Sequence, residues 1–80
     1  MNTVTVIKKR ILELCRERNI SPHKLAEISA MPPSSLKSIL NGKSNNPGVV
    51  TIKILCDGLG ITLAEFFDTT DFNSLEQEIK

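Results

Sequence analysis

Tryptophan and tyrosine are absent from this 80-residue chain, and its three phenylalanines, Phe66, Phe67 and Phe72, fall in the last fifteen residues. A chain of this length buries only about 60–65% of its unfolded surface, so with so little aromatic volume an enclosed cofactor pocket is not expected. No apolar run approaches the ~18 residues of a membrane span, and no signal peptide is read at the start, so the expected setting is cytoplasmic, with no membrane. One histidine, His23, and two distant cysteines, Cys15 and Cys56, do not supply the clustered ligands of a metal site. Both cysteines lie on apolar-periodic segments and read as small buried free thiols. A Ser/His/acid set, a paired-carboxylate site and a Gly-rich phosphate loop are missing too, so neither an enzyme nor a cofactor is expected.

What is present is ordinary for a folded domain: 40% apolar and 24% charged residues. The net charge of +1 hides an asymmetry. Residues 1–43 hold eight Lys/Arg against three acids, or +5, and residues 44–80 hold two lysines against six acids, or −4. Such a split suggests a polyanion-facing front and an acidic back, against the plainer alternative of scatter over a solvated surface.

The apolar spacing is helical throughout, with no period-2 run of useful length. Val4, Ile7, Ile11, Leu14 and Arg18, with Cys15 beside them, give a stripe over residues 4–18, with Thr3 placed to cap it and Asn19 suited to its end. Ser21-Pro22 opens a second helix that runs to about Ser29, with Leu25 and Ile28 inward. Met31-Pro32 forces a break, since a residue before proline avoids helical angles. Pro33 starts a third helix with Leu36, Ile39 and Leu40 inward, closed by Asn41-Gly42. After the loop KSNNPG, a fourth helix spans Val49–Leu59, with Val49, Ile52, Leu55, Cys56 and Leu59 on one side and Gly60 at its end. Thr62-Leu-Ala-Glu65 is a capping box that starts a fifth helix carrying Leu63, Phe66 and Phe67. The prediction is an all-α domain of five short helices over residues 1–68. An acidic tail, 69–80, follows as a frayed end or a last turn packing on a partner.

Two short helices joined by three or four residues have the geometry of a helix-turn-helix, with the first bracing and the second presenting its outer face. Ala26 fits where they cross, and Ala30 occupies the turn position that usually takes glycine. With Leu36, Ile39 and Leu40 turned inward, the outward residues of the second are Ser34, Ser35, Lys37, Ser38 and Asn41. Serine hydroxyls both donate and accept, and Lys37 is the one long donor able to reach a guanine edge or a phosphate.

The runs LAEISAMPPSSLKSILNGK (25–43) and TIKILCDGLGITLAEFF (51–67) resemble the lambda-repressor-like, Cro/C1-type (XRE) helix-turn-helix family. Shared features are the Leu-Ala-Glu start, the Asn-Gly-Lys after the second helix, and the Leu-Gly-Ile before the fifth. The resemblance covers about residues 7–68. It implies a transcriptional regulator, commonly a homodimer, that binds a double-stranded DNA operator with residues 33–41 in the major groove. Position by position, it implies base reading by Pro33, Ser34, Lys37 and Ser38. Phosphate contacts would come from Ser21, Lys24, Ser35, Asn41 and Lys43.

The sequence departs from that pattern at Pro32, where the family usually has a Ser/Thr cap, and at Pro33, where a long polar reader is common. Proline has no donor, so readout there is limited to apolar contact, and modest specificity per half-site follows. In the loop, Asn45, Asn46 and the Gly48 amide are further candidates for phosphate contact. The alternative function is an antitoxin or other protein-interaction module on the same fold, using Phe72, Leu75 and Ile79 of the tail toward a toxin or other partner.

Overall fold

The computed structural model describes residues 2–43 and 46–79, so Ser44 and Asn45 of the predicted loop lie outside the described residues. Six helices follow in order: α1 Thr3–Glu17, α2 Pro22–Ile28, α3 Pro33–Leu40, α4 Val49–Leu59, α5 Leu63–Phe67 and α6 Thr70–Asn73. Among the described residues there is no strand.

The starts of the helices follow local side-chain chemistry. The Ser21 hydroxyl accepts from the Lys24 amide at 3.1 Å, and Pro22 sits in the first turn of α2. The Thr62–Glu65 capping box is complete, both of its hydrogen bonds being 3.0 Å. At α1 the cap is Asn2, whose side chain accepts from the Thr5 amide at 2.8 Å. Thr3 is therefore the first helical residue rather than the cap.

The ends share one device. Asn19, Ala30, Gly42 and Gly60 each adopt a left-handed conformation, with φ of 55°, 53°, 75° and 72°. After each of them an amide reaches back five residues: Ile20 to Cys15, Met31 to Ala26, Lys43 to Ser38 and Ile61 to Cys56. These are Schellman-type closures, which satisfy the last carbonyls while turning the chain.

The core is one cluster from five helices: Ile7, Ile11, Leu14 and Cys15 of α1; Leu25 and Ala26 of α2; Leu36 and Ile39 of α3; Ile52, Leu55, Cys56 and Leu59 of α4; Phe66 of α5. Each large member contributes about 1.5–3 kcal/mol through burial. On α1, Val6 is buried and Val4 only half-buried. Ala26 is fully buried, and where α2 meets α4 a second close approach pairs Ser29 with Gly58.

Four sequence assignments change. Ile28 is exposed, and Ser29 takes the buried place beside α4. Val49 stands at the first turn of α4, exposed rather than inward. Arg18 leaves the α1 stripe at the surface and donates from Nε to the Leu59 carbonyl at 3.3 Å. Arg10, set apart from the stripe, is turned in toward α5 instead. Its Nε donates to the Phe66 carbonyl at 2.8 Å and its Nη2 to the Glu65 carbonyl at 2.9 Å.

The sixth helix lies in the predicted tail and packs on its own domain. The Phe72 ring lies 4.8 Å from that of Phe67 and 6.1 Å from that of Phe66. Lys9 pairs with Asp71 at 2.7 Å, and Thr3 Oγ1 donates to Glu78 at 2.7 Å.

Candidate nucleic-acid interface

Helices α2 and α3 are separated by residues 29–32, with the left-handed Ala30 turning the chain between them. Leu36 and Ile39 are buried and Leu40 is half-buried, which fixes the roll of α3 and sets its other face outward. On that face Pro33, Ser34, Ser35, Lys37 and Asn41 are exposed, and Ser38 is half-buried. Pro32 precedes α3 with no side-chain cap; the Ser35 amide instead bonds the Pro32 carbonyl at 2.9 Å.

Pro33, Ser34, Lys37 and Asn41 come together along one open groove of about 480 Å³, with Pro22, His23, Leu36 and Leu40 forming the rest of its wall. The groove thus joins the outer face of α3 to the first turn of α2. Ser35, Ser38, Ser21, Lys24 and Lys43 do not line it. His23, which the Ser21-Pro22 start puts in the first turn of α2, is exposed and also forms part of this wall.

Cations divide into engaged and free groups. Lys24 is 3.5 Å from Glu27, Lys9 pairs with Asp71, Lys53 with Asp57, and Arg10 with Glu13 at 2.5 Å. No ion pair among the described residues involves Lys37, Lys43, Lys8 or Arg16. The charge split along the sequence is therefore only partly a split in space, because Asp71 of the second half neutralises Lys9 of the first. Lys37 and Lys43 flank the end of α3 with their charges available.

The buried thiols have no part in this surface. Burial pushes both Cys15 and Cys56 above the usual cysteine value; Arg18 opposes the shift at Cys15, and Asp57 adds to it at Cys56. Among the described residues no group of His, Cys, Asp and Glu is arranged to hold a metal ion, and no helix is long and apolar enough to cross a membrane.

Comparison with known proteins agrees with this geometry. Residues 10–71 match the Cro/C1-type HTH DNA-binding domain family. The chain belongs to that family. Among solved structures it is similar to the one titled "Crystal structure of the prophage Lp1 protein 11", at 26% identity and a TM-score of 0.81. That likeness covers 94% of this chain and all of the other. No curated protein matches significantly.

Proposed function

We propose that this chain is a prokaryotic or phage transcriptional regulator, a repressor, that binds a double-stranded operator as a homodimer with residues 33–41 in the major groove. The observation that carries this reading is the single groove joining Pro33, Ser34, Lys37 and Asn41 to the first turn of α2, on a chain of DNA-binding family. Ser34, Lys37 and Ser38 read base edges, and Pro33 contributes apolar contact such as that with a thymine methyl. Ser21, Lys24, Ser35, Asn41 and Lys43 hold phosphates. Lys24 does so by exchanging an exposed pair with Glu27, which costs little because such pairs contribute at most about 1 kcal/mol. The DNA-binding unit is residues 1–68, with 69–80 as an acidic extension, and it works in the cytoplasm without a cofactor or a reaction of its own.

Fluorescence anisotropy on promoter duplexes with a salt titration tests the reading, since phosphate neutralisation gives a steep salt dependence. No binding at about 50 mM salt defeats it. Selection from a random DNA pool is expected to return a palindrome with half-sites about 34 Å apart, one helical turn.

The partner-module reading draws on the tail. There Phe72 packs on Phe66 and Phe67, Asp71 pairs with Lys9 and Glu78 accepts from Thr3, which leaves exposed Ile79 and Glu76 to face a protein partner. That smaller surface favours the DNA reading.

A further inference from the structure

The groove between α3 and the first turn of α2 has two ionisable groups in its wall, Lys37 and His23, and no carboxylate. His23 is the one histidine of the chain and is exposed. Among the described residues its ring nitrogens make no hydrogen bond and no ion pair. The charges on the elements around it are engaged with one another. Lys24 and Glu27 of α2 pair at 3.5 Å, and Glu17 and Arg18 at the end of α1 lie 3.9 Å apart. Lys53 pairs with Asp57 on α4, which meets α2 at its far end, by Ser29. None of these six residues lines the groove.

We infer that DNA binding by this chain takes up a proton at His23, whose imidazolium donates to a backbone phosphate at the α2 edge of the groove. The inference rests on the DNA reading above and adds to it a contact residue and a dependence on pH. Pro22 and Pro33 stand on the two rims without an N–H, so the donors here must be side chains. Ser34 and Lys37 occupy the α3 side, where bases are read. His23 hangs from the bracing helix, which leaves it the phosphates that border the groove.

Histidine is the side chain whose charge changes between about pH 5 and 8. An imidazolium in this wall stands beside Lys37 with no carboxylate to answer either charge, and a phosphate of bound DNA answers both. Bound DNA therefore favours the protonated ring, and by reciprocity a lower pH favours binding. A neutral ring still donates one N–H, but a charged donor to an oxyanion makes a bond about twice as strong.

Fluorescence anisotropy tests this, with the full chain and a short random-sequence duplex over a range of salt, at about pH 5.5 and about pH 8. The parent should bind about fivefold tighter at the lower pH, with a salt slope steeper by about one. His23→Gln, which keeps a donor and cannot take up the proton, should bind at both values as the parent does at the higher pH. His23→Arg should bind at both as the parent does at the lower pH. Circular dichroism at each pH checks that all three chains are folded alike. A parent with equal affinity and slope at the two values overturns the inference and leaves the DNA reading standing. A His23→Gln chain that keeps the parent's pH response overturns it as well, because the proton would then go elsewhere. A parent that binds no duplex at either pH defeats the DNA reading, and this inference with it.

Discussion

Gly58 and Ser29 share a space with room for one side chain. A β-carbon on Gly58 would stand 2.1 Å from the Ser29 hydroxyl oxygen, 3.1 Å from its Cβ and 3.2 Å from its Cα. The hydroxyl is buried and finds no hydrogen-bond partner among the described residues. Gly58→Ala gains about 1 kcal/mol of helix propensity but forces overpacking that costs about 1–3 kcal/mol. The expected outcome is a net loss of about 1 kcal/mol, seen as a lower urea midpoint at low protein concentration. Ser29→Ala removes the nearest atom and an unpartnered hydroxyl, so it should be neutral or stabilising. In that background Gly58→Ala should cost less. A stabilising Gly58→Ala in the parent would show that the crossing is looser than its geometry.

Ala30 is the odd member of the four left-handed closures, the others being asparagine or glycine. Alanine pays about 1–2 kcal/mol in this conformation, which glycine avoids at a smaller entropic cost. Ala30→Gly should therefore stabilise by about 0.5–1 kcal/mol and raise the melting temperature by several degrees. A lower midpoint would contradict the strain assigned here.

Arg10 belongs to the basic first half of the sequence, yet its guanidinium holds the carbonyls of Glu65 and Phe66 and the carboxylate of Glu13. Its side chain is 14% exposed. Removing a charged donor from such acceptors costs about 1.5–3 kcal/mol. Arg10→Ala should lower the urea midpoint by that amount while leaving duplex affinity unchanged in the absence of urea. An affinity loss larger than the stability loss would make it a DNA contact instead.

Both cysteines are thiols in the folded chain well past neutral pH, because burial raises them above the ordinary 9.0. The folded state thus keeps protons that the unfolded state releases. Stability from this source is complete below about pH 9 and declines above it, as unfolded thiolates form. There is no tyrosine to titrate in that range. A disulfide-exchange reagent at pH 8 should react at the rate of unfolding, and Cys15→Ala with Cys56→Ala should flatten the alkaline decline. Rapid labelling of the native chain would refute the assignment.

Lys37 and Lys43 separate base reading from phosphate binding. Lys43→Ala should weaken selected and random duplexes alike and reduce the salt slope by about one. Lys37→Ala should weaken the selected operator more than a random duplex, by about 1–3 kcal/mol. Equal losses on both duplexes would move Lys37 to the phosphate group.

The helix starts at Ser21 and Thr62 and the closures at Asn19, Gly42 and Gly60 were legible because their chemistry is local to a few residues. Residues placed by two neighbours at once were not. Ile28 reads as inward by spacing, but α2 is wedged between α3 and α4, and only the small Ser29 fits against Gly58. Arg10 falls off the apolar stripe of α1, and nothing nearby in sequence reveals that α5 will leave two carbonyls above it. Phe72 reads as available to a partner until Phe66 and Phe67 are seen beneath it. The outward side of α3 was legible by subtraction, once Leu36, Ile39 and Leu40 claimed the inside. His23 as a wall of the same groove depends on how α2 and α3 meet, which no spacing encodes.

The four left-handed closures also bear on how fast the chain finds its fold. Each uses only its own helix's last carbonyls, and those at Asn19, Ala30 and Gly60 lead into the next helix within three or four residues. Closing short loops costs little chain entropy, and folds assembled from near neighbours cross their barrier in microseconds to milliseconds. The late step should be the docking of α6 on α1, where Lys9 and Asp71 must meet across most of the sequence. A DNA-binding domain built this way needs little long-range chain rearrangement before its recognition face is in place.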